Sequence, residues 1–124
     1  MARKVSKTLT DGELRVMDVL WSLKSASVKE VTSVLQQQSR IAYSTVQTTL
    51  RILERKGYVS HTISGRTFIF QPIVEKDKAS KEALKKVLNS FFNDSPHSLV
   101  ANLLEDEELD EAEIRRLKEL IERS

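Results

Sequence analysis

Apolar residues recur at three- and four-residue steps through the first half of the chain, with short polar interruptions between the runs. Leu14, Met17, Leu20 and Trp21 form the first stripe, preceded by Thr10-Asp11-Gly12-Glu13. That tetrad is a capping box, in which a threonine hydroxyl accepts from the backbone of a glutamate that reaches back to the threonine's own N–H. A helix is therefore expected from Thr10 to about Lys24-Ser25. Ser27-Val28-Lys29-Glu30 repeats the box and opens a short second helix with Val28, Val31, Val34 and Leu35 on its apolar side. After the polar stretch Gln36 to Arg40, Ser44 is read as the cap of a third helix. This helix carries Val46, Leu50 and Leu53 and closes at Gly57, the residue type that most readily turns left-handed after a helix.

The period then changes. Tyr58 to Thr62 and Thr67 to Gln71 are rich in β-branched and aromatic residues, and Ser64-Gly65-Arg66 between them reads as a turn, which makes a β-hairpin. Three short helices followed by a hairpin is the element order of a winged helix-turn-helix, whose third helix enters the DNA major groove. Beyond it the helical period returns. Lys76 to Phe92 carries Leu84, Val87, Leu88 and Phe91 along one side; Ser95-Pro96 offers a cap and a first-turn proline before Leu99, Val100, Leu103 and Leu104; Asp110 and Glu113 open a last helix with Ile114, Leu117 and Ile121. The fold expected is mainly α with a small β-hairpin: a winged helix-turn-helix DNA-binding domain over residues 1–74 and a helical dimerisation domain over residues 75–124.

Charge sharpens this division. Residues 1–72 hold 11 Lys/Arg against 5 Asp/Glu, a net of +6, whereas residues 73–124 hold 9 against 13, a net of −4. The basic part suits a polyanion such as double-stranded DNA, and the acidic part suits protein contact. A solvated surface with accidental asymmetry is the alternative. A chain of 124 residues with 40% hydrophobic and 31% charged positions is of single-domain size, or one domain with a helical appendage, which disfavours a multidomain enzyme. No apolar run approaches the length of a membrane span, so no direct membrane insertion is expected. Polar residues Thr10, Asp11 and Glu13 stand where a signal peptide's apolar stretch would be, so the protein is expected in the cytoplasm. There are no cysteines, and the two histidines, His61 and His97, are far apart in sequence. Disulfides, thiolate metal sites and cysteine nucleophiles are thereby excluded. No metal site, cofactor or enzymatic activity is expected.

The third helix is informative by angle, at about 100° per residue. With Val46, Leu50 and Leu53 turned to the core, the opposite side presents Ser44, Thr48, Arg51 and Arg55, flanked by Thr45, Gln47 and Ile52. Arginine donates two bonds to guanine, glutamine pairs with adenine, threonine touches a thymine methyl or a phosphate, and a serine near a helix N-terminus favours a phosphate. Arg66, at the hairpin tip, would lie beside the backbone or minor groove as part of a wing. Each of these residues is also an ordinary surface residue. A winged helix serving as a protein-interaction module, with incidental basic residues, is the rival reading.

The three C-terminal stripes are narrow, and three short helices make a thin core for one chain. Two protomers that interleave them would bury the stripes across a two-fold axis, giving a homodimer matched to an inverted repeat. A monomeric helical cap folded on the winged domain is the alternative. His97 reads as a surface residue of a first helical turn, and the acidic run Glu105 to Glu108 as a solvated loop.

Leu9-Thr10, Glu13, Val16-Met17, Leu20-Trp21, Ala42-Tyr43-Ser44-Thr45-Val46-Gln47-Thr48-Thr49-Leu50, Leu53 and Lys56-Gly57 together resemble the penicillinase repressor family (BlaI/MecI/CopY). The resemblance continues through Ser98-Leu99-Val100-Ala101-Asn102-Leu103 and Glu113-Ile114 to Leu117. It implies a dimeric transcriptional repressor that binds an inverted repeat, commonly with TACA and TGTA half-sites. On the recognition helix and wing, Arg51 is expected nearest base edges, with Tyr43, Ser44, Thr45, Thr48 and Arg66 divided between bases and backbone. The resemblance also implies regulated cleavage between Asn102 and Leu103, which occupy the place of the Asn-apolar bond cut in such repressors. The partner in that event would be a membrane sensor metalloprotease responding to β-lactam or cell-wall stress; a DNA-binding repressor with a different, non-proteolytic signal is the alternative. Ile52 stands where relatives often carry a basic residue, which moves or removes a phosphate contact. The absence of cysteine disfavours the Cu(I) sensing of copper-responsive members.

Overall fold

The computed structural model describes residues 8–105 and 108–123, the last three of these by their backbone alone. The chain forms two compact units, residues 1–83 and 84–124. In the first, α1 (Asp11–Leu23), β1 (Ala26–Ser27), α2 (Val28–Gln36), α3 (Tyr43–Lys56), β2 (Val59–Ser64) and β3 (Thr67–Pro72) follow one another, and the first two turns of α4 (Lys76–Phe91) complete it.

Both capping boxes form as the sequence predicts. The Thr10 hydroxyl accepts from Glu13 N–H at 3.2 Å while Glu13 Oε1 accepts from Thr10 N–H at 2.8 Å. The second box is equivalent, with Ser27 Oγ accepting from Glu30 N–H at 3.1 Å and Glu30 Oε1 accepting from Ser27 N–H at 3.0 Å. The third start differs from expectation. Ala42 is the N-cap of α3 and provides no side-chain bond, and Ser44 is already inside the first turn. Gln36 instead ties the turn before α3, its side-chain N–H donating to Ile41 O at 3.0 Å. Gly57 ends α3 at φ 87, as the sequence indicated, and Tyr58 N–H reaches back to Leu53 O at 2.9 Å.

The sheet has three strands in the order β1-β3-β2, all antiparallel. The hairpin turn is shorter than the three residues read from sequence: Ser64 pairs with Thr67, which leaves Gly65 and Arg66 as a two-residue loop with Gly65 at φ 64. A positive φ at the first loop position is what a type II′ hairpin requires. The third strand was not foreseen. Ala26 and Ser27 pair with Phe70 and Ile69, and Ser27 serves both as the last strand residue and as the cap of α2.

Val16, Met17, Leu20, Val31, Val46, Leu50, Leu53, Val59 and Phe70 close the core between the three helices and the sheet. The buried face of α1 is rotated from the stripe read in sequence, because the helix packs on α2, α3 and β3. Leu14 is exposed, while Glu13, Val16 and Val19 are buried. Trp21 is half-buried, its indole N–H donating to Val74 O at 2.9 Å, and Ala79 of α4 joins the core.

Glu13 is accommodated by Lys56. The Lys56 ammonium lies 2.7 Å from Glu13 Oε1, both side chains are only 7% exposed, and it also donates to Thr8 O at 3.0 Å. Burial works to raise the Glu13 carboxyl, but hydrogen bonds from Lys56 and Thr10 and the Lys56 charge together hold it below the usual carboxylate range. A carboxyl lowered on folding stabilises above its ordinary value of 4.5 and loses that contribution as pH falls through the depressed one.

The second unit consists of the remainder of α4, α5 (Pro96–Leu104) and α6 (Glu111–Arg123). Ser95 caps α5, accepting from Ser98 N–H at 3.1 Å with Pro96 in the first turn, and Asp110 accepts from Glu113 N–H at 2.8 Å at the start of α6. Asp106 and Glu107, and hence the centre of the acidic run, lie outside the described residues. Among the described residues, none after Ala79 is buried.

Lys56→Met should cost about 3–5 kcal/mol, the penalty for leaving a buried charge unpaired. In urea melts, parent and Glu13→Gln should differ at neutral pH. That difference should shrink as pH drops below 4.5.

Candidate nucleic-acid interface

Because Val46, Leu50 and Leu53 hold one face of α3 in the core, the other residues of the helix are distributed over two flanks and an outer ridge. At about 100° per residue, Tyr43, Gln47, Glu54 and Arg51 fall on the flank that turns to the hairpin. Ser44, Thr48 and Arg55 form the outward ridge, and Thr45 and Ile52 lie beyond it. Tyr43, Ser44, Thr45, Thr48, Arg51 and Arg55 are exposed, and Gln47 and Ile52 are half-buried.

Between the first flank and the hairpin runs a groove of about 660 Å³. Tyr43, Gln47 and Arg51 line it from α3 and Arg66 from the hairpin turn, so four residues selected from sequence meet there. Ser44, Thr45, Thr48 and Arg55 do not line the groove and instead extend the exposed surface of α3 beside it. The groove has a third wall that sequence reasoning missed, formed by Ser27, Val28 and Lys29 at the start of α2. The two-residue strand β1 brings them there, since pairing of Ala26 and Ser27 with β3 holds the head of α2 against the hairpin. Lys29 read in sequence as a member of a capping box, and nothing local indicated its neighbour.

The hairpin wall is aromatic. Ile63 and Phe68 are cross-strand partners, as are His61 and Phe70, and these four share one face of the sheet. Phe68 is exposed, and His61 packs against it. Glu54 faces the same groove and is bonded to His61. The first unit as a whole is basic, with 14 Lys/Arg against 8 Asp/Glu over residues 1–83, a net of +6.

In the second unit, Leu84, Val87, Phe91 and Leu103 are exposed, and Leu88, Leu99, Ile114 and Leu117 are half-buried. Ile121 lies outside the residues whose side chains are described. Asn102 is exposed and, with Leu103, sits within α5. No helix is long and apolar enough to cross a membrane among the described residues, and none of their His, Asp or Glu side chains gather into a metal-binding group.

The chain resembles known proteins over nearly all its length. It is 33% identical over 114 residues to a penicillinase repressor of Bacillus licheniformis, covering 92% of this chain and 89% of that one. The methicillin resistance regulatory protein MecI of Staphylococcus aureus (strain N315) is 26% identical over 113 residues, covering 91% and 92%. Among solved structures, the DNA-binding domain of the repressor BlaI superposes with a TM-score of 0.54 at 33% identity, covering 61% of this chain and 93% of that domain. The monomeric form of Bacillus licheniformis BlaI in complex with the blaP half-operator superposes with a TM-score of 0.51 at 32% identity, covering 62% and 93%. The family described as "Penicillinase repressor" matches residues 9–123. With its winged helix and these relatives, the chain belongs to the penicillinase repressor family, a family of DNA-binding repressors and not of enzymes.

Proposed function

We propose that this protein is a cytoplasmic transcriptional repressor that binds double-stranded operator DNA through α3 and the hairpin wing. The observation that carries the reading is the convergence of Tyr43, Gln47 and Arg51 of α3, Arg66 of the wing and Lys29 of α2 on one groove of a basic unit. Arg51 is nearest to base edges in this reading. Tyr43, Ser44, Thr45, Gln47 and Thr48 divide between bases and backbone, and Arg55 and Arg66 meet phosphates. The half-operator complex of the Bacillus licheniformis relative supports the same choice of partner.

The finer parts of the proposal concern assembly and release. Residues 1–74 act as the DNA-binding domain and residues 75–124 as the dimerisation domain of a homodimer that spans an inverted repeat. In support, no described residue of α4, α5 or α6 after Ala79 is buried within one chain, so Leu84, Val87, Leu88, Phe91, Leu99, Leu103, Ile114 and Leu117 have apolar surface to share with a second copy, and the helical period adds Ile121 to the same set. Repression ends by proteolysis between Asn102 and Leu103, performed by a membrane sensor metalloprotease in response to β-lactam or cell-wall stress. Both residues are exposed on α5. Severing so short a helix removes apolar surface on which association rests, and two coupled half-site contacts become separate, weak ones.

Mobility-shift titrations against duplex DNA test the central claim. Affinity should fall by orders of magnitude from about 50 to about 200 mM salt, as counterions compete for the phosphates; a protein-interaction module would bind little at the lower salt. Arg51→Ala should cost about 1–3 kcal/mol at the operator and relax base preference, whereas Arg66→Ala should weaken all sequences evenly. Equal operator affinity for Arg51→Ala and parent would remove Arg51 from the reading site.

Sedimentation tests the dimer. Leu117→Ala should cost about 2–5 kcal/mol of interface and shift the protein toward monomer while weakening operator binding. Release is tested by mass spectrometry of the repressor from cells exposed to a β-lactam. Fragments ending at Asn102 are expected, and a full-length chain on derepressed DNA would sink proteolysis as the trigger.

A further inference from the structure

A surface that receives phosphates is best served by cations, yet Glu54 lines this groove and is the only carboxylate among the described residues that do so. It follows Arg51 by one helical turn on the same flank, and it shares the groove with Lys29 of α2, Tyr43 of its own helix and Arg66 of the hairpin turn. Its Oε2 is bonded to Nδ1 of His61 on β2. The imidazole is held on its other side as well: it lies parallel to the Phe68 ring, with centroids 4.4 Å apart and planes 6° from parallel, and it meets Phe70 at 5.5 Å. The His61 and Glu54 side chains are 28% and 35% exposed, so solvent can exchange protons with the ring.

Resting on the DNA-binding reading above, we infer that His61 is a positioning residue that compensates the charge of Glu54 when the groove takes up a phosphate backbone. With a neutral imidazole, Nδ1–H can donate to Glu54, but the pair carries a net negative charge beside the phosphates. A proton taken from solvent onto Nε2 makes the ring an imidazolium and the pair neutral, and it strengthens the bond that braces the wing against α3. Histidine is the side chain whose charge changes between about pH 5 and 8. If a proton on His61 favours DNA, DNA favours the proton by the same factor, so binding takes up a proton in that range. The chain has one other histidine, His97, in the first turn of α5 in the other compact unit, which makes the source of the uptake assignable.

Duplex affinity measured at fixed salt at about pH 6 and about pH 8 tests this, using parent, His61→Gln, Glu54→Gln and His97→Gln. The parent should bind about tenfold tighter at the lower pH, within the range typical of coupling between two bound species. His97→Gln should keep that ratio. His61→Gln should lose it and bind like the parent at the higher pH. Glu54→Gln keeps an oxygen for Nδ1–H but removes the charge, so at the higher pH it should already bind as tightly as the parent does at the lower. A retained ratio in His61→Gln, a parent that binds duplex with no pH dependence, or a Glu54→Gln variant weakened at both pH values would each overturn the role of His61 and leave DNA binding standing. A parent that binds no duplex at either pH would overturn the DNA reading and this inference with it.

Discussion

The buried pair of Lys56 and Glu13 is the constraint on which the binding face depends. Glu13 uses one oxygen twice, accepting from Thr10 to start α1 and from Lys56 at the end of α3. Lys56 also holds Thr8 O, so the approach to α1, its first turn and the last turn of α3 are joined at a single ammonium. Such pairs contribute little net stability compared with an apolar substitute, because two charges must be desolvated. Their contribution is geometric. With the last turn fixed there and Val46, Leu50 and Leu53 locked in the core, α3 cannot roll, and the residues left for the groove are decided before any ligand arrives.

From that fixed end the wing follows. Gly57 turns the chain left-handed, Tyr58 is drawn back to Leu53, and β2 leaves at an angle that places the hairpin beside α3. β3 then pairs on both edges, with β2 on one side and β1 on the other. A two-residue strand adds few hydrogen bonds, but it lies immediately before the cap of α2. Its register against Phe70 and Ile69 therefore sets where Lys29 stands relative to Arg66. The groove thus has three walls whose positions derive from one ion pair, one glycine and one short strand pairing.

What could be read from sequence was what local chemistry dictates. The capping boxes at Thr10 and Ser27, the left-handed Gly57 and the β-hairpin each depend on residues a few positions apart, and each is found in the structure. The misreadings share the opposite property. Ser44 has the chemistry of a cap, since serine favours that place, but the N-cap of α3 is Ala42, two residues earlier. Leu14 reads as core from its place in the apolar stripe but is exposed, and the burial of Glu13 is not legible locally because its partner Lys56 lies 43 residues away. Glu54 and Arg51 are near neighbours on one helix, but that Glu54 meets His61 depends on where the hairpin folds. The selected residues of α3 were legible as a type of surface. Which of them would share a groove with Arg66 was not, because this depends on the third strand and on the angle of the wing.

The two units differ in how they bury apolar surface and in the sign of their charge, and the two differences bear on each other. The first unit encloses a core and carries +6; the second, residues 84–124, carries 6 Lys/Arg against 10 Asp/Glu and encloses no buried residue among those described. Three helices of this length gain too little from hydrogen bonds alone to persist in water, and their stripes must be covered. DNA is a poor cover for an acidic surface, since phosphates repel carboxylates. A second copy of the same helices offers matching stripes without that repulsion from a polyanion, and in the proposed dimer folding and association become one equilibrium. A helix whose order depends on association opens easily when the partner leaves, and a chain must open before a protease can hold it. In that proposed dimer, the thin core of the second unit would also make a cut in α5 costly to the coupling between two half-sites, since the cut divides the shared apolar stripes between two fragments.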